Sequence, residues 1–270
     1  MTVKAKKHLG QHFLTDKNIC RKIAAQYGFH EGCKRVLEIG PGTGALTEFL
    51  LELDQIDLMV MDVDSESITY LKNHFPVLQG KIREADFLRV HVTKEFGDEP
   101  FAVVGNFPYN ISSQILFKCL EHRNQIPEIM GMFQKEVAER VAEPPGSKQY
   151  GILSVLLQAF YSIQYCFTVD EHVFNPPPKV KSGVIRCVRN ERKSLECNEA
   201  LFIRVVKMAF NQRRKTLRNS LKALLNGQSL SESFSNQRPE KLSVEDFVQL
   251  TLEVQDFMKG NENTLELVGE

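Results

Sequence analysis

Short apolar runs and helical stretches alternate along the first 190 residues. The run Val36-Leu37-Glu38-Ile39 stops at Gly40-Pro41-Gly42-Thr43-Gly44, and residues 45–51 then take helical spacing. A second strand is predicted over 57–61, ending at Asp62-Val63-Asp64, with a helix over 65–74. A third lies near Ile82 and ends at Asp86. A fourth, starting at Phe101, runs into Gly105-Asn106-Phe107-Pro108-Tyr109, and a helix over 112–122 follows. A strand over 128–133, helices over 135–142 and 152–161, and two strands over 163–167 and 183–189, spaced for a hairpin, complete the series. Such alternation predicts an α/β fold: a parallel sheet covered on both faces, with ligands outside the carboxyl ends of its strands. Gly40 to Gly44, Asp62, Asp86 and Asn106 all fall at such ends. The pattern implies a Rossmann-like domain over 1–190, a small α-helical domain over 191–262, and a tail over 263–270.

Composition adds limits. With 270 residues, 42% hydrophobic and 25% charged, the chain is ordinary globular material, enough for one large domain and a smaller one. Its six cysteines are scattered without a CxxC pair, which implies reduced thiols and neither a zinc site nor a disulfide frame, so no metal is expected. The first residues carry lysines but no apolar core of signal-peptide length, and no segment is long enough to span a membrane. A cytoplasmic monomer is the expectation.

Charge is informative only by region. Lys+Arg and Asp+Glu balance at 34 each, yet residues 200–231 contain no Asp or Glu and seven bases: Arg204, Lys207, Arg213, Arg214, Lys215, Arg218 and Lys222. Drawn as one uninterrupted helix at about 100° per residue, all but Arg213 fall within about 100° of arc. A solvated face normally mixes signs, so this stripe reads as a phosphate-binding surface, with Arg213, Arg214, Lys215 and Arg218 as its RNA contacts. Lys4, Lys6 and Lys7 add to it. From Glu232 onward nine acids against three bases restore neutrality, and that acidic end is expected to face away from RNA.

At the strand ends the chemistry narrows. Glycines let backbone N–H groups approach a ligand closely at the start of a helix, and a carboxylate such as Asp62 accepts two hydroxyl hydrogens, as a ribose diol requires. GPGTG lacks the GxGxxG spacing, which disfavours NAD and favours S-adenosylmethionine; a plain tight turn is the competing reading. Asn106-Phe107-Pro108-Tyr109 then has a use. An adenine amino nitrogen is a poor nucleophile because its lone pair is delocalised. Two acceptors on its two hydrogens, the Asn106 side-chain oxygen and the Phe107 carbonyl, would turn that lone pair toward a methyl donor. Pro108 fixes the backbone and Tyr109 offers a stacking face. Asp86 reads either as a ligand group or as a strand end. Phe174, before Pro176-Pro177-Pro178, reads either as a base contact or as core, and Met130-Gly131-Met132 reads as core.

Five segments in order carry a resemblance: Gly10-Gln11-His12-Phe13-Leu14, Glu38 to Gly44, Asn106-Phe107-Pro108-Tyr109-Asn110-Ile111-Ser112, Phe174 to Val180, and Phe210 to Asn219. From about residue 4 to about residue 257 the chain resembles the small-subunit rRNA adenine dimethyltransferases, the kasugamycin-sensitivity family. The resemblance implies S-adenosylmethionine as cofactor and 16S rRNA within the immature 30S subunit as partner. It implies two N6 methyl groups on each of two adjacent adenosines in the 3′-terminal stem-loop. It places His12 and Leu14 at the methionine end of the cofactor and Gly40 against it. Asp62 falls on the ribose, Asp86 on the adenine amino group and Asn106 at the transferred methyl. Tyr109 and Phe174 would sandwich the target base. His12 stands where the family usually has Asn, and Asp62 where it usually has Glu. Two rivals remain at this point: methylation of a protein glutamine amide, against which the basic segment argues, and a non-catalytic subunit-assembly factor, against which Asn106 to Tyr109 argue.

Overall fold

A computed structural model describes residues 3–225 and 227–266. The chain divides into two compact units, Met1–Ala142 with Tyr161–Asn190, and Glu143–Phe160 with Glu191–Glu270. The segment 143–160, including the helix expected over 152–161, therefore belongs with the second unit, whereas the sequence reading assigned it to the first.

The first unit holds the strands β1 (Phe13–Leu14), β2 (Arg35–Ile39), β3 (Asp57–Asp62), β4 (Ile82–Glu84), β5 (Ala102–Asn106), β6 (Glu128–Gln134), β7 (Tyr161–Val169), β8 (Phe174–Asn175) and β9 (Ser182–Arg189). Its helices are α1 (Lys17–Ala24), α2 (Thr47–Leu50), α3 (Ser65–His74), α4 (Val92–Phe96), α5 (Ser112–Glu121) and α6 (Lys135–Ala142). Seven strands form one sheet in the order β4-β3-β2-β5-β6-β9-β7. The first five run parallel. β9 is antiparallel to β6 and lies between it and β7, so the expected hairpin exists but is inserted with its second strand inward. The sheet is therefore parallel through its first five strands and antiparallel at the hairpin that ends it. A β7–β9 connection of only twelve residues, 170–181, fits an antiparallel return; parallel strands need a crossover helix.

Side chains alternate between the two faces of each strand. Val36, Val60, Ala102, Val104, Met130 and Met132 form one continuous core with Leu14, Phe174 and the buried side of α1. Leu37, Ile39, Val103 and Ile129 are buried on the opposite side. β1 and β8, a two-residue antiparallel pair, set Leu14 opposite Phe174 and Phe13 opposite Asn175. No apolar run of that length signals a strand in sequence.

The second unit is helical: α7 (Ile152–Gln158), α8 (Glu199–Asn211), α9 (Leu217–Ser220), α10 (Lys222–Leu225), α11 (Glu232–Ser235) and α12 (Val244–Glu266). Asn198 caps α8 by accepting from the Leu201 N–H at 2.9 Å, and Phe202, Val205, Val206, Ala209 and Phe210 form its buried stripe. The single helix drawn through 200–231 does not form. Residues 211–216 read Asn-Gln-Arg-Arg-Lys-Thr, so a continuing helix would bury no apolar face there. The chain instead turns through Arg213 N–H to Phe210 O and Lys215 N–H to Gln212 O, and Leu217 N–H bonds Gln237 O. Of the tail expected over 263–270, residues up to Glu266 continue α12, and 267–270 lie outside the described residues.

Candidate active site at the carboxyl ends of the parallel strands

One cleft in the first unit is lined by His12, Leu14, Gly40, Asp62, Asp86, Asn106, Phe107, Pro108 and Tyr109 together. Four come from the ends of β2, β3 and β5 or the residue after them, as the alternation of runs and turns predicted. Gly40 and Gly42 both sit at positive φ, 68° and 56°, a region that L side chains rarely occupy. A Cβ on Gly42 would also stand 2.7 Å from the Phe13 ring.

The polar groups of the cleft are held on one side and open on the other. Asp62, 6% exposed, accepts from the Asp64 N–H at 3.0 Å and the Gly42 N–H at 3.2 Å, joining the glycine loop to the turn before α3. Burial raises its pKa above the usual carboxylate range, and those backbone bonds oppose the rise. Glu38 is 1% exposed and accepts from Thr47 Oγ1 at 2.6 Å. Burial pushes its carboxyl up to about 8, with the Asp62 charge adding to the effect. Asp86 accepts from the Leu88 N–H at 2.9 Å and pairs with Arg89 at 3.3 Å. A carboxylate at Asp62 beside the Gly42 N–H suits a ligand carrying hydroxyls, which S-adenosylmethionine does.

The Asn106 amide donates from Nδ2 to the His12 carbonyl at 2.9 Å, so its Oδ1 is the end left to accept from a substrate. The Phe107 N–H donates to Met132 O at 3.1 Å. Tyr109 is stacked on the His12 ring, with centroids 5.4 Å apart and planes 28° from parallel, and its hydroxyl bonds Ser182 Oγ. His12 Nδ1 bonds the Pro176 carbonyl at 2.8 Å, so it is the protonated nitrogen.

A family model for ribosomal RNA adenine dimethylase matches residues 2–256. The chain belongs to that family. Its activity is dimethylation of adenine in ribosomal RNA, with S-adenosylmethionine as the methyl donor. It is 56% identical over 251 residues to a ribosomal RNA small subunit methyltransferase A of Cytophaga hutchinsonii, covering 92% of this chain and 96% of that one. A protein of the same name from Flavobacterium johnsoniae is 56% identical over 254 residues, covering 94% and 97%. Among solved structures, a dimethyladenosine transferase from Plasmodium falciparum is similar at 28% identity with a TM-score of 0.73, covering 91% of this chain and 98% of that one. The 23S rRNA methyltransferase ErmE is similar at 27% identity with a TM-score of 0.63, covering 88% and 98%.

Two expectations for this dimethylase need correction. Phe174 does not line the cleft; it is 4% exposed, set opposite Leu14 by the β1–β8 pairing and packed into the core. The ring facing Tyr109 is His12. Arg213 is tied inside the second unit, donating from Nη2 to Ser147 O at 2.9 Å with Nε 3.9 Å from Glu240. Arg214, Lys215 and Arg218 are exposed, the first two beside a surface hollow lined by Phe210 to Lys215.

Several residues in or beside the cleft have partners that the sequence reading did not assign, Lys6 among them, which was read as part of the basic stripe. Glu38 was quoted in its motif without a role. Gln11 and Lys6 both bond the buried Asp64 carboxylate, holding the segment that carries His12 at the rim. Lys118 of α5 donates to Leu88 O at 3.1 Å and Val90 O at 2.6 Å, fastening the turn after Asp86. The Gly10-Gln11-His12-Phe13-Leu14 segment signals Gln11; nothing local signals Lys118.

Proposed function

We propose that this dimethylase modifies two adjacent adenosines in the 3′-terminal stem-loop of 16S rRNA, placing two methyl groups on each N6 within the immature 30S subunit. Action as a monomer in the cytoplasm belongs to the same proposal. One observation carries the chemistry: the Asn106 amide is oriented by the His12 carbonyl, so Oδ1 faces the side where a substrate N–H would come.

The residues then have defined tasks. S-adenosylmethionine supplies a methyl group on a positively charged sulfur. Gly40 and Gly42 give it a close backbone surface, Asp62 accepts from its ribose hydroxyls, and Asp86 accepts from its adenine amino group. His12 and Leu14 lie at the methionine end. Asn106 Oδ1 and the Phe107 carbonyl accept the two hydrogens of the target amino group, leaving the nitrogen lone pair directed at the methyl. Each transfer forms an N6–carbon bond as the sulfur–methyl bond breaks, leaves S-adenosylhomocysteine and releases one N6 proton to solvent, and the second repeats the step with one hydrogen left to hold. Tyr109 provides the stacking face for the target base. Arg214, Lys215 and Arg218 contact RNA phosphates, and Arg213 holds their turn in shape.

Labelled S-adenosylmethionine offered with unmethylated 30S subunits, naked rRNA or total protein tests the substrate. Label is expected on adenine N6 of the 30S subunits. Label that prefers naked rRNA would remove the subunit from the proposal, and label in protein would replace it.

A further inference from the structure

The run Met130-Gly131-Met132 in β6 holds a glycine where the neighbouring positions bury large side chains. Met130 and Met132 face the core that contains Leu14, and Gly131 faces the other side of the sheet. Its partner across β5 is Gly105, so two glycines lie side by side at the carboxyl edge, one residue before Asn106. The bare surface they leave is filled. The Phe107 ring lies across both: a Cβ on Gly105 would stand 3.1 Å from Phe107 Cε1 and 2.6 Å from Ile39 O. A Cβ on Gly131 would stand 3.0 Å from Phe107 Cδ2 and would collide with Cε2 and the Gly105 carbonyl oxygen. Phe133 closes the slot, its ring centroid 4.8 Å from that of Phe107. Phe107 is 1% exposed.

We infer that Gly105 and Gly131 are positioning residues for methyl transfer: the slot they leave seats the Phe107 ring, and the seated ring aims the Phe107 carbonyl beside Asn106. This rests on the reading of that carbonyl and Asn106 Oδ1 as the two acceptors. The residue that carries the carbonyl is held at three points. The Phe107 N–H bonds Met132 O, the ring is packed on glycine, and Pro108 restricts the bond that follows. Acceptors that must meet two hydrogens of one amino group tolerate little displacement, since about 1 Å of misplacement costs up to roughly 10²-fold in rate.

The test uses the full chain with unmethylated 30S subunits and labelled S-adenosylmethionine, assayed well below each variant's unfolding temperature. Phe107→Ala keeps the carbonyl and empties the slot; kcat is expected to fall by about 10- to 100-fold while the cofactor KM stays within about twofold. Phe107→Leu refills most of the slot and is expected to recover most of the loss. Gly131→Ala, if it folds, is expected to match Phe107→Ala; if it does not, the two Phe107 variants decide. A parental kcat in Phe107→Ala overturns the inference, as does an equal loss in the Ala and Leu variants. Asn106→Ala run alongside separates the two levels. If Asn106→Ala turns over normally, the acceptor reading falls; if it is inactive and Phe107→Ala is normal, only the anchoring falls.

Discussion

The cleft of the first unit and the basic turn of the second are both polar, but they are built on opposite terms. In the cleft each functional group is held by a partner that leaves one face open: Asp62 by two backbone N–H groups, Glu38 by Thr47, Asn106 by the His12 carbonyl. In the basic turn only Arg213 is held so, and Arg214, Lys215 and Arg218 stand exposed. Redirecting one lone pair requires acceptors fixed to fractions of an ångström, whereas attraction to phosphate requires charge within reach. On the proposed reading, held acceptors serve the chemistry and exposed charge of one sign serves the attraction to phosphate.

The largest expected effect breaks the cleft. Asn106→Ala should cut methyl transfer by about 10²-fold or more, the scale of losing one hydrogen bond aimed at a transition state, with cofactor binding nearly unchanged. Single-turnover kinetics beside calorimetric titration of the cofactor checks both halves, and normal turnover would sink the mechanism. Next, Asp62→Ala should weaken cofactor binding by about 1.5–3 kcal/mol, the contribution of a hydrogen bond to a charged group. RNA affinity should hardly move. Unchanged cofactor affinity would leave Asp62 only its bonds to Gly42 and Asp64.

The basic turn sharpens the comparison by dividing its own arginines. Replacing Arg214 and Arg218 by Ala should weaken binding to 30S subunits and make log K against log salt shallower by roughly one unit per lost phosphate contact. Arg213→Ala should instead lower the unfolding temperature of the second unit and leave the salt slope as it was, because its guanidinium is engaged with Ser147 and Glu240. Equal slopes for the double variant and the parent would remove the phosphate reading.

The last prediction concerns stability, through Glu38. Its pKa is about 8 when folded against an ordinary 4.5, so between these values the folded chain carries a proton that the unfolded chain lacks. Stability from this group therefore falls as pH rises through that window and levels off above it. Glu38→Gln cannot ionise, so its unfolding temperature should fall less than the parent's between pH 5 and pH 8. Parallel curves would show that Glu38 does not titrate there.

Sequence alone determined a great deal here, because local physics acts on local residues. The apolar runs and their glycine or acidic stops identified β2, β3 and β5 and placed Gly40, Asp62 and Asn106 at their ends, where parallel strands expose backbone and ligands gather. Tertiary structure decided what depends on partners distant in the chain. The pairing of Phe13–Leu14 with Phe174–Asn175 buried Phe174 and brought His12 to Tyr109. A carbonyl at residue 12 fixed which end of the Asn106 amide donates within the protein and which is left to accept. Two glycines 26 positions apart made one slot for Phe107. The break in the basic segment came from a missing apolar face that a charge stripe cannot reveal. Period and composition report which residues can lie on a strand or helix. Which atoms meet is set by packing, and packing joins residues that no local pattern links.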